Sequence, residues 1–479
     1  MSHQINPAVP LARTAPADCQ LLHEAALQIL EGTGVRLFYQ PAVDLLQRAG
    51  ATVTDGNRVT ISSRLVEWAL TCVPKEITLY DRLGEACMTL NGRNTYYGPG
   101  SDCLYVLDHR TGERRRPTLE DVATGIKLCD ALPNIDFVMS MFVPPDLPAM
   151  TADRHQMEVM LNTTTKPIVF VTSDLAGCVD SLAMAEIAVG GETAFRQRPM
   201  AACYVNVTNA LRHNQEALEK VLFLSGKGVP FCYIPVSLGG AAAPITPAGG
   251  AALWHAGDMV GLVLSQLTKE GSPFISSGWS VSALDMRRAT SPYVEPEKQF
   301  IAQELAHYLN LPMFAMAGCS DSKQLDAQAG VEAALTLLTN TLAGSHIVHD
   351  LGYLEAGMTG SLSLLAICDE IIDWIRRSLT PVEITPETLA LDVIEAVGPD
   401  GSFLEQEHTL QHYRERWMPQ LMDRDIYDVW LKHGGQDLAQ RAGLRVDAIL
   451  ETHSPEPLDE TIKRRLREYV QEADSRYNS

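Results

Sequence analysis

The feature that most constrains the fold of this 479-residue chain is a regular alternation of short apolar runs with helical patterns. Each run is rich in β-branched or aromatic residues, ends in small or polar residues, and follows the previous one by about 30 to 43 residues. The eight runs are Thr95–Ser101, Asn134–Pro144, Lys166–Asp174, Pro199–Asn209, Gly228–Gly240, Gly271–Val281, Leu311–Ser322 and Gly344–Gly357. Their spacing is close to the ~30 residues of one strand–helix unit.

Nearly continuous apolar strands that alternate with helices indicate parallel strands covered on both faces. Eight such units predict an α/β fold of the closed (β/α)8 or TIM barrel type rather than an open doubly wound sheet. Helical patterns flank the repeat on both sides. We therefore expect a helical N-terminal extension over residues 1–90, the barrel over 91–361, and a helical C-terminal extension over 362–479 packed on the barrel.

Charge and cysteine usage narrow the class of protein. Asp and Glu number 59 against 38 Lys and Arg, and the net charge of −21 argues against nucleic acid or an anionic membrane as partner. The ten cysteines form no C-x-x-C pair and several lie in apolar runs, which is typical of free thiols in a reducing compartment. No apolar segment has the length of a signal peptide or a membrane span, so a cytoplasmic protein is expected.

The carboxyl ends of the strands should carry the functional site, because barrels of this type assemble their sites there. These ends are rich in Gly and Ser, offer aromatic and acidic side chains, and contain almost no Lys or Arg. Ring faces with a nearby carboxylate suit a quaternary ammonium, which cannot donate hydrogen bonds. Phosphate chemistry is disfavoured, since the Gly-rich segment after the fifth run matches neither a P-loop nor G-x-G-x-x-G.

Simpler interpretations of the same residues stay open. Tyr97 and Trp279 could be ordinary strand-end packing, and Asp321 could cap the helix that follows it. Cys319 as a nucleophile would need a nearby cation, for which Lys323 is the candidate in its loop. A barrel decarboxylase or lyase that uses Asp321 and Lys323 is an alternative from another reaction class.

Four separated stretches resemble one known family. They are Tyr96–Ala123 with the first run, Gly240–Leu253 after the fifth, Gly318–Gly344 ("GCSDSKQLDAQAGVEAALTLLTNTLAG") with the seventh, and Phe403–Arg424 near the C-terminus. Together they are similar to the trimethylamine methyltransferase family, over roughly Thr95 to Arg424. Four motifs in the same order are far more specific than any one of them.

The resemblance implies a barrel that moves a methyl group from an amine to the cobalt of a separate corrinoid protein. Archaeal trimethylamine members carry pyrrolysine, whereas this chain consists of the twenty ordinary residues. It therefore resembles non-pyrrolysine members, which act on quaternary amines. The expected donor is glycine betaine, which would leave dimethylglycine; trimethylamine, proline betaine and carnitine are alternatives. A non-catalytic betaine-binding or corrinoid-docking protein is the alternative outside the enzymes. The cobalamin would be carried by the partner, with no tightly bound cofactor in this chain, which is expected to be a homo-oligomer.

Combining this resemblance with the strand-end rule assigns roles to individual residues. Asp321 and His349 are the candidate catalytic residues, Asp321 by supplying negative charge. The candidate substrate-binding residues are Tyr97, Asp102, Phe142, Trp279, Lys323, Tyr353 and Glu355. The candidate residues on the corrinoid side of the mouth are Gly98, Gly100, Ser101, Gly239, Gly240 and Ser277. No metal site is expected in the chain itself.

Overall fold

The computed structural model describes residues 11–277, 282–288, 290–296 and 300–477. The helices are α1 (Pro16–Gln28), α2 (Gln40–Arg48), α3 (Ser63–Cys72), α4 (Leu119–Ala131), α5 (Ala152–Thr163), α6 (Leu175–Ala188), α7 (Glu192–Gln197), α8 (Gln215–Lys227), α9 (Pro247–Thr268), α10 (Ile301–Tyr308), α11 (Ala327–Ala343), α12 (Leu362–Leu379), α13 (Pro386–Leu389), α14 (Leu391–Val397), α15 (Glu407–His412), α16 (Tyr427–Lys432), α17 (Leu438–Thr452) and α18 (Glu460–Tyr477). A π-helical turn extends α1 and a 3-10 turn extends α15.

The strands are short, and most of them belong to one central sheet or to small sheets around it. They are β1 (Val35–Leu37), β2 (Thr52–Thr54), β3 (Arg58–Thr60), β4 (Ile77–Tyr80), β5 (Ala86–Leu90), β6 (Tyr96–Tyr97), β7 (Tyr105–Leu107), β8 (Arg114–Arg115), β9 (Ile168–Val171), β10 (Ala201–Val207), β11 (Arg212–His213), β12 (Phe231–Pro235), β13 (Leu238–Gly239), β14 (Phe274–Ser277), β15 (Ser282–Ala283), β16 (Met313–Met316), β17 (Ile347–His349), β18 (Tyr353–Leu354) and β19 (Thr359–Gly360).

The central sheet has seven parallel strands in the order β6-β17-β16-β14-β12-β10-β9. The first predicted run thus lies beside the eighth, and the order then descends along the chain to the third. Helices follow these strands and cover the outer face of the sheet. The result is a mixed α/β fold with a curled, parallel half-barrel, close to the TIM type.

The second predicted run does not form a regular strand. Its contacts with the neighbouring runs are isolated bridges, from Val138 to Ile168 and from Phe142 to Cys103. Val138 N–H donates to Pro167 O at 2.9 Å, and Met141 N–H donates to Gly100 O at 2.8 Å. Met141 has a φ of +60°, a left-handed conformation that breaks the pleat of a strand. The prediction of eight regular strands is therefore corrected to seven.

The N-terminal segment differs from the helical extension predicted for it. It contains α1 to α3 but also β1 to β5, because alternating stretches of three to five residues form strands there. Strands β4 and β5 pair as a hairpin whose Leu79, Met88 and Leu90 pack against residues inside the curled sheet. Tyr80 N–H donates to Pro199 O at 2.9 Å, just before β10. The hairpin therefore covers the amino-terminal end of the sheet and leaves the carboxyl end for the site.

The C-terminal segment is helical, with α12 to α18 and no strand among the described residues 362–477. All ten cysteines are unpaired, as predicted. Among the described residues, no helix combines the length and the apolar character needed to cross a membrane.

Candidate active site

His349 ends strand β17 and lies at the carboxyl edge of the sheet, buried beside Phe314 of β16. Its ring centroid is 4.2 Å from that of Phe314. Its Nδ1 is 2.7 Å from the carbonyl oxygen of Ala315, and its Nε2 is 3.3 Å from Asp350 Oδ1. Because a carbonyl only accepts hydrogen bonds, Nδ1 must carry a proton. Nε2 faces Asp350, and a proton between Nε2 and Asp350 Oδ1 completes the pair.

Asp350 is buried next to His349 and has a left-handed φ of +74°. Its Oδ2 accepts a hydrogen bond from the hydroxyl of Tyr293. The backbone of Gly100 passes so close that an added Cβ would lie 2.1 Å from Asp350 Oδ1 and 2.4 Å from the Tyr353 hydroxyl. Glycine at position 100 is therefore required by the carboxylate that it touches.

Asp102 is a second carboxylate at the same end of the sheet. Its side chain is reached by solvent, although protein surrounds it closely. Removal from bulk water raises the pKa of Asp102 to about 6, and the nearby Asp350 raises it further while His349 opposes the change. The Tyr353 hydroxyl accepts from Asp102 N–H at 3.0 Å and donates to Met141 O at 3.1 Å, which fixes this segment. At neutral pH Asp102 is predominantly ionised.

Tyr204 of β10 turns its ring toward the same space. Its ring centroid is 5.5 Å from that of Phe314, in an edge-on arrangement, and 6.3 Å from that of His349. Burial raises the pKa of Tyr204 well above its usual value, and Asp102 and Asp350 add to the effect. We call the following set the mouth cluster: Asp102, Tyr204, Tyr293, Phe314, His349, Asp350 and Tyr353. Aromatic faces combined with carboxylates can bind an organic cation.

The loop with the sequence GCSDSK holds another loop in place. Asp321 accepts hydrogen bonds from the backbone N–H of Tyr293, at 2.9 Å, and of Val294, at 3.1 Å. Asp321 N–H in turn donates to Glu332 of α11 at 2.9 Å. The N-cap of α11 is Asp326, so the open interpretation of Asp321 as the helix cap is corrected. Asp321 thus positions the segment that brings Tyr293 to Asp350.

Two further predicted residues, Lys323 and Glu355, lie at the rim of the mouth cluster, and each is bound to another residue of this chain. Lys323 is exposed and its Nζ donates to the backbone oxygen of Asp321 at 2.7 Å. Glu355 forms an ion pair with Arg114 at 2.7 Å, across the small sheet β18-β19-β7-β8, and accepts from Thr359. Arg114 lowers the pKa of Glu355 below its usual value, against the effect of burial.

Tyr97 and Phe142 are not brought to the mouth cluster. The Tyr97 hydroxyl lies 2.5 Å from Thr341 Oγ1 of α11, and its ring is 5.4 Å from the Arg376 guanidinium of α12. Successive side chains of a strand point to opposite faces of the sheet, which explains the position of Tyr97. Tyr96 points to the inner face of the curled sheet, so Tyr97 points outward to the helices. Phe142 is buried against Gly360, whose added Cβ would lie 2.6 Å from its ring.

The small residues predicted to face the corrinoid have packing partners of their own. An added Cβ at Gly98 would lie 2.7 Å from Phe137, Gly239 joins β13 to β15, and Gly240 has a φ of +85°. Ser277 N–H donates to the buried Asp258 at 3.3 Å, while Ser101 is half-buried and its carbonyl accepts from Ser140. Trp279 lies outside the described residues. Within those residues, no group of three or more His, Cys, Asp or Glu side chains could hold a metal ion.

Four residues of the mouth cluster were not among the candidate site residues predicted from the sequence: Tyr204, Tyr293, Phe314 and Asp350. Tyr204 was within reach of a sequence argument, because Ala202, Tyr204 and Asn206 alternate along one face of β10 and become more accessible toward its end. Tyr293 was not, since its approach to Asp350 depends on the contact that Asp321 makes from another loop.

Comparison with known proteins gives a consistent set of similarities. The sequence model described as "Trimethylamine methyltransferase (MTTB)" matches residues 2–477. The chain is 32% identical to Trimethylamine methyltransferase MttB of Desulfitobacterium hafniense (strain DSM 10664 / DCB-2), over 98% of this chain and 95% of the relative. It is 31% identical to Glycine betaine methyltransferase of Desulfitobacterium hafniense (strain Y51), over 94% and 95%.

More distant similarities extend the comparison. Trimethylamine methyltransferase MttB of Methanosarcina barkeri is 27% identical, over 96% of this chain and 94% of the relative. Among solved structures, that of the hydroxylamine MtmB complex superimposes with a TM-score of 0.50 at 12% identity, covering 98% of this chain and 90% of the other. At that identity the likeness concerns the fold alone.

Proposed function

The chain belongs to the trimethylamine methyltransferase family and is a methyltransferase, and from this premise we propose the two molecules between which it moves the methyl group. The donor is a quaternary amine, with glycine betaine as the first choice. The acceptor is the Co(I) of a corrinoid carried by a separate protein. The products are then dimethylglycine and the methylated corrinoid.

The reaction balances without a proton. The C–N bond of the trimethylammonium group breaks with its electron pair left on nitrogen, and the electron pair of Co(I) forms the new bond to the methyl carbon. The leaving group is a neutral tertiary amine, so no general acid is required. The protein has only to orient the methyl group, exclude water and hold the cation.

The observation that carries the proposal is the pairing of two carboxylates with aromatic rings around His349. Asp350 is occupied by Tyr293 and faces the His349 imidazole. Asp102, with a pKa raised to about 6, is ionised at neutral pH and reached by solvent. We assign Asp102 as the negative partner of the ammonium, and the ring of Tyr204 as an apolar face for its methyl groups.

The carboxylate of glycine betaine requires a donor as well. We retain three candidates for it: His349, the backbone amides near Gly239 and Gly240, and Lys323. His349 belongs to the mouth cluster, but its Nδ1 and Nε2 already face Ala315 O and Asp350 Oδ1, so Nε2 would have to share its hydrogen bond between Asp350 and the substrate carboxylate. The other two would come to the substrate from the rim.

The approach of the corrinoid rests on the shape of the fold. We infer that the second run completes a closed (β/α)8 barrel. The hydrogen bonds of Val138 to the third run and of Met141 to the first run support this inference. The hairpin β4–β5 then covers one end, so the corrinoid protein approaches the carboxyl end. A reducing cytoplasm would suit both Co(I) and the ten unpaired cysteines.

Trimethylamine is a second candidate donor, because the relative with 32% identity is named for it. Protonated trimethylamine carries the same positive charge and also leaves as a neutral amine. Trimethylamine has no carboxylate, so it does not require a hydrogen bond from His349. The two donors therefore differ in which part of the site they need.

The test mixes the purified protein with a reduced corrinoid protein and one donor at a time, and follows the loss of Co(I) absorbance. The donors are glycine betaine, proline betaine, carnitine and trimethylamine. Glycine betaine should consume Co(I) fastest, and trimethylamine as the fastest donor would establish the second candidate instead. If no quaternary amine is consumed faster than in the protein-free mixture, the proposed donor class is wrong.

A further inference from the structure

Residues 382–431, which we call the arm, form a surface segment without a core of their own. Helices α13 to α15 and all but the last residue of α16 lie in this segment; the four helices have four to seven residues each and include no buried residue apart from the cap Ala390. Leu421 is the one large apolar side chain of the arm that is buried. Isolated helices of this length are unstable in water, so the arm depends on contacts with other surfaces.

The arm exposes an unusual amount of apolar surface. Its large apolar residues that are at least 45% exposed are Val382, Ile384, Leu389, Leu391, Ile394, Phe403, Leu404, Leu410, Tyr413, Met418, Ile426, Tyr427 and Leu431. At ~200 Å² for a fully exposed large side chain, they present on the order of 1,500 Å². A stable dimer of ordinary size buries ~800 Å² on each partner, and monomers rarely expose such continuous apolar surface.

The arm is nevertheless held firmly at its middle by helix α12. The Glu370 carboxylate accepts hydrogen bonds from the backbone N–H of Gln420, Leu421 and Met422, at 2.8, 2.5 and 2.7 Å. The Trp417 ring stacks on Trp374 with centroids 5.4 Å apart. The arm is therefore fixed in place before anything binds to it, which lowers the entropy cost of association.

An apolar groove lies next to the arm, between α11 and α12. It is lined by Val331 and Leu338 of α11, which are 56% and 37% exposed, and by Trp374 of α12, which is 48% exposed. Met422 of the arm lines the same groove. Met422 thus joins the arm to the groove, so the arm supplies exposed apolar side chains and the groove a recess next to it.

The position of this surface separates it from the mouth cluster. Arg376 of α12 donates to Asn134 at 2.7 Å and to Asp136 at 3.1 Å, and both acceptors lie at the amino-terminal end of the second run. The arm therefore packs near the amino-terminal ends of the runs, opposite to His349 and Asp350. A partner that exchanges a methyl group must reach the carboxyl end and leave again, so it does not account for this surface.

We propose that a second copy of this chain covers the surface, with the arm of each copy lying over the groove of the other. In a two-fold dimer the same patch meets itself, so a patch that contains both a ridge and a recess is self-complementary. Permanent homodimer interfaces are also more apolar than transient ones. This inference does not depend on the identity of the methyl donor.

Charge gives the dimer a recognisable salt dependence. The arm contains eleven Asp or Glu residues against three Arg residues, a net charge of −8, within a chain of −21. Two such surfaces repel each other at low ionic strength, while apolar burial drives them together. Added salt screens the repulsion and should tighten the dimer, whereas an interface built on opposite charges would weaken.

The experiment measures the mass of the full-length chain in solution by light scattering and sedimentation, across protein concentration and salt. Two double variants introduce the same added charge at either side of the contact: Leu391→Glu with Leu404→Glu in the arm, and Val331→Glu with Leu338→Glu in the groove. The matched control is Leu21→Glu with Leu83→Glu, at residues that are 63% and 64% exposed elsewhere. Circular dichroism and thermal unfolding verify that each variant folds.

Twice the monomer mass of 52.4 kDa is expected for the wild-type chain and for the control. Both the arm and the groove variants should dissociate at least 100-fold more readily while staying folded. A wild-type chain that is monomeric at ~10 μM, or an oligomer that the arm and groove variants leave unchanged, would overturn the proposal. Loss of the dimer in the control as well would also count against it, because charge alone would then explain the effect.

Discussion

At the scale of single residues, the charge of Asp102 is the property that should matter most for substrate binding. Replacement by Asn keeps the shape but removes the negative charge, and we expect kcat/KM to fall about 10- to 100-fold, or about 1.4 to 2.7 kcal/mol. The measurement is the initial rate of Co(I) loss against donor concentration. Asp447→Asn is the matched control, since Asp447 pairs with Arg110 and His109 far from the mouth cluster.

The same residue predicts how activity depends on pH. The pKa of Asp102 is raised to about 6, so the carboxylate is charged above that pH and becomes neutral below it. The wild-type value of kcat/KM should therefore decrease as the pH falls through about 6. Asp102→Asn should remove this step; a step of equal size in the variant would assign the titration to another group.

Gly100 offers a test of packing around Asp350. In Gly100→Ala the new Cβ would lie 2.1 Å from Asp350 Oδ1, so the carboxylate or the backbone must move. We expect activity to fall at least 10-fold and the free energy of unfolding to decrease by about 1 to 3 kcal/mol. Gly226→Ala is the control, because no atom lies within 4 Å of its added Cβ, and it should retain full activity. Normal activity in Gly100→Ala would mean that the position of Asp350 is not critical.

The position of a side chain at the carboxyl end of the sheet could be predicted from the sequence where chain position alone decides it, whereas the role of that side chain stays a prediction. His349, Asp102 and Tyr353 follow their strands directly, and the rule that sites form at strand ends brought them together. The same rule did not place Tyr97 correctly, because its neighbour Tyr96 is the residue that points to the inner face of the sheet. A shift of one residue in strand phase reverses which side chain points inward, and a run of two tyrosines gives no signal of the phase.

At the scale of secondary-structure elements, Lys166 connects the end of α4 to the start of β9. Its Nζ donates to the carbonyl oxygens of Cys129, Leu132 and Ile135 at 2.6, 2.8 and 2.6 Å. Lys166→Met leaves three carbonyls without this donor, and the free energy of unfolding should fall by about 3 kcal/mol, measured by denaturant titration. Lys127→Met, which removes one such bond to Leu450, should lose about 1 kcal/mol. Equal losses in the two variants would contradict this account.

Most elements of the repeat were predictable because apolar runs and caps are local signals. Seven of the eight runs form strands of the central sheet, and Thr118 and Asp121, three residues apart, form a capping box at the start of α4. The second run was not predictable as an irregular segment, since its composition matches the others and only Met141 takes the left-handed conformation. The strands β1 to β5 were missed because they are short and are stabilised by distant partners, such as β11 beside β1.

At the scale of the whole molecule, one end of the sheet is covered and the other carries the mouth cluster. The hairpin β4–β5 packs into the amino-terminal end, while loops after β6, β16 and β17 gather at the carboxyl end. The family to which the chain belongs was recognisable from four motifs in order. The surface of the arm was not, because exposure of an apolar residue depends on the packing of the complete chain.

The most direct test of the central claim follows the methyl group itself. Glycine betaine with 13C-labelled methyl groups is incubated with the protein and a stoichiometric amount of Co(I) corrinoid protein, and the products are quantified by 13C NMR. The account predicts one labelled methyl group on cobalt for each dimethylglycine formed, and little of either product with Asp102→Asn. Dimethylglycine without methylated cobalt, or equal product yields from the wild-type chain and Asp102→Asn at the same early time point, would contradict it.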